Sequence, residues 1–235
     1  MVIAQEIVHE ISLNHYEVGT RLQTEKEMLE KYGVSRGTLR ESLRYLEMNG
    51  VIVMKPGPGG GPFTDHPDSR DLAGTLALFL QINHTSFRSI IEARLLIEPI
   101  IAGLAAKNAT SDLLTEIKES IDKMQENIDD LKIFLQTNEE FHTLVSIAAN
   151  NSVFSLIMGS LHWITDGSPL GVDYPVERRV AVLEAHKKVY EAISSRSSEN
   201  AENAMAHHVR EFSLYLTRFY PNVYDSELTW GEFTR

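Results

Sequence analysis

The 235-residue chain contains no cysteine, which removes disulfides, thiolate metal sites and thiol nucleophiles together. Any metal has to be held by His, Asn, Asp or Glu. No run of about 18 apolar residues occurs, so no segment reads as a membrane helix. The first dozen residues mix Val, Ile and Ala with Gln, Glu and His, and they lack the basic start and unbroken apolar core of a secretion signal. These absences lead us to expect a cytoplasmic protein with no membrane partner. There is no low-complexity tract, and with 43% hydrophobic and 23% charged residues the chain should fold throughout. Its length exceeds what one core ordinarily needs, so two domains are expected.

Basic residues are also scarce: 22 Lys and Arg stand against 33 Asp and Glu, a formal charge of -11. The deficit is uneven. Residues 1–65 hold seven basic and nine acidic residues, and residues 66–235 hold fifteen and twenty-four. A nearly neutral segment binds phosphate if its cations share a face, because affinity follows local potential.

That face is found in the first third. Ile3, Ile7 and Ile11, with Val8 beside them, mark a first helix ending near Asn14. Thr24 and Glu27 form a Thr-x-x-Glu capping box that starts a second, short helix, and Gly33 ends it. Ser35 is placed to cap a third helix running to Asn49. On that helix Leu39, Leu43 and Leu46 point inward, while Arg36, Arg40 and Arg44, spaced by four, form a basic ridge. Val51 to Met54 is a strand pattern, followed by Lys55, Pro56, Gly57, Pro58 and three glycines, which reads as a hairpin with a flexible tip. A helix with this ridge fits a DNA major groove, where arginine holds guanine through two hydrogen bonds and Ser35 and Thr38 donate to phosphate or base edges. The plain alternative, three arginines solvating a helix, leaves the order of elements unexplained.

Residues 3–61 resemble the GntR family of bacterial regulators, through Leu22 to Met28, Tyr32 to Arg40 and Leu43 to Val51. The resemblance implies a winged helix-turn-helix domain that binds an inverted-repeat operator as a homodimer. It also implies that Lys26, Ser35, Arg36, Thr38, Arg40 and the wing glycine Gly57 contact the DNA. The chain departs from the family pattern at Gln23-Thr24, where Pro followed by Ser or Ala is usual, and at Gly37, where Thr is usual.

Residues 62–69 read as a linker. From about residue 70 to 235 the apolar spacing is helical almost throughout, with no alternating strand, which predicts an all-α antiparallel bundle. Its inward positions include Leu72, Leu76, Phe79 and Leu80 on the first helix. Four polar residues stand where helices should point inward: Asn138 and His142 four apart on one face, His186 within L-E-A-H-K-K, and His208 within M-A-H-H-V. Three imidazoles and an amide oxygen suit a divalent transition metal such as zinc, nickel or manganese. Spacing alone does not make them converge, and a lone His is more often a hydrogen-bonded core or surface residue. His207 points about a quarter-turn away and reads as a surface residue.

From about 70 to 220 the chain looks like the ligand-binding domain of the FadR subfamily, in E-A-R-L-L-I-E-P (92–99), N-E-E-F-H-T-L-V-S-I-A-A-N-N (138–151), E-A-H-K-K-V-Y-E-A-I (184–193) and A-M-A-H-H-V (204–209). The resemblance implies that Asn138, His142, His186 and His208 hold the metal beneath a small organic-acid effector. Asn138 stands where the family has Asp, which removes a charged ligand. Arg94 resembles the arginine that reaches the ligand pocket. It is placed to clamp a carboxylate, and equally to pair with Glu98 one helical turn on. The expected function is a ligand-responsive repressor and not an enzyme. The rival readings are a metal-responsive regulator and a metallohydrolase using the three histidines.

Overall fold

Helix α1 (Val2–Leu13) buries Ile3, Ala4 and Ile7, the stripe that a 3.6-residue period dictates. Val8, a further 100° or so round the helix, is 42% exposed and lies outside that stripe. Helix α2 (Glu25–Tyr32) begins at a complete capping box. The Thr24 hydroxyl accepts from the Glu27 amide, and the Glu27 carboxylate accepts from the Thr24 amide at 2.8 Å, an arrangement that contributes about 1 kcal/mol. The helix stops at Gly33, whose φ of 64° is unstrained only for glycine. Two residues later Ser35 accepts from the Thr38 amide at 3.2 Å and starts helix α3 (Arg36–Met48).

The computed structural model describes residues 1–165 and 171–230, and the chain divides into Met1–Asp71 and Leu72–Arg235. In the first unit, Met28, Leu39, Leu43, Leu46 and Ile52 close the core under α1 to α3. Strands β1 (Ile52–Lys55) and β2 (Gly61–Thr64) pair antiparallel, with Ile52 opposite Thr64 and Lys55 opposite Gly61. The other edge of β2 is taken by the segment before α2: the Leu22 amide donates to Pro62 and the Thr64 amide to Thr20, both at 2.9 Å. Because both its edges are bonded, β2 runs to Thr64, three residues into the stretch read from sequence as linker.

The second unit is helical among its described residues: α4 (Ser69–Ile82, which begins in the first unit), α5 (Phe87–Asn108), α6 (Ser111–Glu126), α7 (Leu131–Ala148), α8 (Ser152–Thr165), α9 (Val176–Ser194), α10 (Ser198–Phe219) and the short α11 (Pro221–Tyr224). Ser86, Thr110 and Asp130 cap α5, α6 and α7 through side-chain oxygens. Helix α5 packs on α7, α8, α9 and α10, so even its polar residues Arg94 and Glu98 are buried. The inward face of α4 is made by Ala73 and Ala77 with Leu76 and Leu80 packed against the same core, while Phe79 is 62% exposed.

Arg179 ties two helix starts together. Its Nε donates to the Tyr174 carbonyl at 2.6 Å, and its Nη1 to the carbonyls of Ile128 and Asp129 at 3.1 and 2.9 Å. Helices α7 and α9 therefore begin side by side, and the same end of the bundle carries the first turns of both. No described helix is long and apolar enough to cross a membrane.

Candidate functional site

In the first unit, Ser35, Arg36, Thr38, Arg40 and Arg44 on and before α3, and Lys26 on α2, are all exposed. The buried side of α3 is taken by its leucines, which turns the arginines outward. Arg40 Nε lies 3.4 Å from Glu25, and Lys26 Nζ lies 4.0 Å from Glu30. Pairs as exposed as these hold the side chains weakly and leave them available to a stronger anion. The Ser35 hydroxyl is engaged in capping and lies 3.0 Å from that of Thr38, at a helix N-terminus whose free amides favour phosphate. Gly57 has φ 88°, so the wing turn needs a glycine there, and the missing side chain leaves the backbone approachable.

In the second unit, His142 on α7, His186 on α9 and His208 on α10 converge, with one nitrogen from each within 4.8 Å of the others. His142 Nε2 and His208 Nε2 face one another at 3.2 Å. Two nitrogens bound to one tetrahedral zinc, each about 2.0–2.1 Å from it, lie roughly 3.3 Å apart. His186 is 0% exposed, its ring stacks on Phe141 at 3.8 Å, and neither of its nitrogens has a hydrogen-bond partner. A buried imidazole with both nitrogens orphaned is costly in an apolar core, and a cation shared with His142 and His208 would satisfy it. The donor set thus fits a divalent transition metal. Asn138, one turn before His142, lines the same cavity as His142 and His208.

Behind the histidines stands Glu98. Its carboxylate accepts from Arg94 Nε at 2.6 Å and lies 2.8 Å from His142 Nδ1 and 3.2 Å from His162 Nε2. Burial alone would raise the Glu98 carboxyl, but the Arg94 guanidinium beside it outweighs burial and holds it well below the usual carboxylate range. Burial, then Arg94, pushes His162 down to about 3 against the opposing pull of Glu98. His186 and His208 are likewise held well below their ordinary value, first by burial and then by neighbouring histidines. His162, His186 and His208 are therefore neutral, and for His186 and His208 this is the protonation state a metal ligand needs. The Glu98–His142 contact is of the kind that orients a ligating imidazole and fixes its tautomer.

The cavity above this cluster has a volume of about 440 Å³ and is walled by residues of α5, α7, α8, α9 and α10. Arg94 reaches it already bonded, through Nε to Glu98 and through Nη1 to the Thr165 hydroxyl at 2.8 Å. Arg94 therefore pairs with Glu98 and also lines the cavity. His207 is exposed. The sequence reading passed over His162, Thr165 and Arg178, and took Glu98 only as a partner for Arg94. The available signal was polarity on otherwise apolar helices: His162 lies between Leu161 and Trp163, and Arg94 and Glu98 interrupt the Ile and Leu run of α5.

The model of the gntR family of bacterial regulatory proteins matches residues 2–60, and that of the FCD domain matches residues 89–211. The HTH-type transcriptional regulator YcbG of Bacillus subtilis is 30% identical over 208 residues, which cover 88% of this chain and 85% of that protein. The HTH-type transcriptional repressor NanR of Salmonella newport is 22% identical over 216 residues, covering 90% of this chain and 83% of its own length. A solved structure of a Streptococcus agalactiae GntR has a TM-score of 0.68 and 25% identity, covering 91% of this chain and 98% of that one.

Proposed function

We infer the working of this molecule from the premise that the chain belongs to the GntR family of bacterial regulatory proteins and carries an FCD domain behind its winged helix. It is a DNA-binding transcription regulator, and its relatives are regulators and not enzymes, so the metallohydrolase reading is set aside. Our proposal concerns the finer points. The protein acts as a cytoplasmic homodimeric repressor, with Arg36 and Arg40 reading bases, Lys26, Ser35 and Thr38 holding phosphates, and Gly57 bringing the wing backbone to the groove. Its C-terminal unit senses a small carboxylate. His142, His186, His208 and Asn138 would hold zinc, nickel or manganese, which when bound supplies a Lewis-acidic seat for that carboxylate.

The observation that carries this reading is the buried, orphaned imidazole of His186 at the convergence of three helices. None of the four proposed ligands is a carboxylate, and Glu98, the nearest carboxylate, is engaged by Arg94. The donor set thus leaves a cation's charge to be balanced by an anion entering the cavity, which favours an acid over a neutral effector. Such an acid changes DNA affinity only by binding one arrangement of the domains better than another, a differential of about 1–3 kcal/mol.

Two experiments test this. Operator binding, followed by fluorescence anisotropy against a panel of small organic acids, should weaken about 5- to 150-fold with the cognate acid, and chelation should abolish the response. A response untouched by chelation overturns the metal's role, and release by metal alone makes the cation itself the signal. For the first unit, Arg36→Ala should cost about 1–3 kcal/mol and relax base preference. Lys26→Ala should instead weaken all sequences alike and lower the salt slope by about one. Identical effects of the two variants would overturn these roles.

A further inference from the structure

The cavity has two ends of different chemistry. At one end are the histidines with Arg94, whose charge is already neutralised by Glu98. At the other end is Arg178, on the first turn of α9. Its Nε is buried with no hydrogen-bond partner, and its guanidinium lies 4.7 Å from the centre of the Tyr215 ring. Burial pushes this group below its ordinary value, and among the described residues no carboxylate lies within 4.0 Å of it. The adjacent Arg179 shows the contrast. That side chain spends its donors on three backbone carbonyls and is a structural clamp, whereas Arg178 lines both the 440 Å³ cavity and a neighbouring one of about 400 Å³. A half-buried cation with an unsatisfied donor at a cavity wall is a ready partner for an acceptor that enters the cavity, and an anion satisfies both its charge and its donor.

The helix geometry sets how far apart the backbones at the two ends lie, while the Arg178 side chain shares the lining of both cavities with His208. Arg178 precedes His186 by eight residues on α9, an axial rise of about 12 Å. Lys132 precedes His142 by ten on α7, a rise of about 15 Å. Because Arg179 ties the starts of α7 and α9 together, Lys132, which also lines the cavity, stands at the Arg178 end. Between the ends the walls mix apolar Leu135, Val182, Val209 and Phe212 with polar Gln136 and the carboxylate Glu139, which a second anion has to bypass on its way to Arg178. The result is a slot with a carboxylate seat at one end and two cations at the other.

We propose that Arg178 is a second anion seat, and that the effector is an elongated acid with an anionic group at each end. One end is a carboxylate at the histidines, and the other is a carboxylate or phosphate at Arg178, assisted by Lys132. This inference rests on the carboxylate-sensing reading above and deepens it. Arg178 is a specificity residue: it distinguishes acids with a second charge from acids whose far end is apolar.

The test is isothermal titration of the zinc-loaded full-length protein with succinate, adipate and suberate, each against the monocarboxylate of equal length, butyrate, hexanoate or octanoate. Phosphoglycolate serves as the phosphate-ended probe. At least one doubly anionic probe should bind about 10- to 100-fold more tightly than its singly charged counterpart, the worth of a charge-assisted bond. In Arg178→Met that ratio should fall toward one, and in Arg178→Lys it should be largely kept. A preference confined to phosphoglycolate assigns the second seat to phosphate, and one confined to the diacids assigns it to carboxylate. Equal affinity for single and double anions, or a ratio unchanged in Arg178→Met, overturns the second seat while leaving carboxylate sensing intact. Failure of every acid, monocarboxylates included, overturns both readings together.

Discussion

Replacing Glu98 with alanine is expected to destabilise the C-terminal unit by about 3–5 kcal/mol, the range found when one partner of a buried ion pair is removed. Glu98 is 3% exposed and Arg94 is 6% exposed, so the guanidinium left behind cannot regain water without opening the bundle. Arg94 would keep its bond to Thr165, but a hydroxyl brings no charge. For a unit of this size the loss corresponds to a fall of about 6–20 °C in its melting transition. The charge-removing but nearly isosteric Glu98→Gln should fall between wild type and alanine. The same change frees the His142 ring from its 2.8 Å contact, and zinc affinity should drop by a further 10- to 100-fold, as is typical for an orienting partner of a metal ligand. Calorimetry with metal titration reads both effects. A melting transition displaced by less than about 2 °C would show that Glu98 is not the charge that keeps Arg94 buried.

His186→Leu should separate metal binding from folding. Removing one of three imidazoles should weaken zinc binding by more than about 100-fold, beyond the effect of losing an orienting partner, and operator release by acids should go with it. In the chelated protein the sign reverses. Both His186 nitrogens lie in the core without hydrogen-bond partners, a penalty of about 1–3 kcal/mol for each such group. Leucine of similar size against Phe141 removes that penalty, so chelated His186→Leu should melt no lower than chelated wild type, and by this reasoning higher. Competition with a zinc-sensitive dye and thermal denaturation with and without chelator check the pair of results. A variant that keeps wild-type zinc affinity would remove His186 from the ligand set. One that is destabilised after chelation would mean its nitrogens are satisfied in the folded state.

The two halves of the molecule differ in how far local rules reach. The capping box Thr24–Glu27, the glycine stop at Gly33, the Ser35 cap and the leucine stripe of α3 are contained within a few residues each, and the structure has them in place. The wing hairpin runs three residues beyond the boundary read at Gly61, because Pro62 and Phe63 carry no local pattern and β2 exists through partners on β1 and at Thr20 and Leu22. Phe79 is apolar yet faces outward, whereas the bundle takes Ala73 and Ala77 with Leu76 and Leu80 beside them.

The amino-acid sequence by itself determined the helical identity of the bundle, the exposed arginine ridge, and the pairing of Asn138 with His142 on one helix face, since each follows from side-chain spacing along a single element. Only the tertiary structure decided that His142, His186 and His208 meet, that Glu98 serves Arg94 and two histidines at once, and that Arg178 and Arg179, neighbours in the chain, have opposite fates. Those outcomes depend on which ends of α5, α7, α8, α9 and α10 lie together. That is set by the burial of whole helix faces, to which a single imidazole or guanidinium contributes too little to leave a trace in the local pattern.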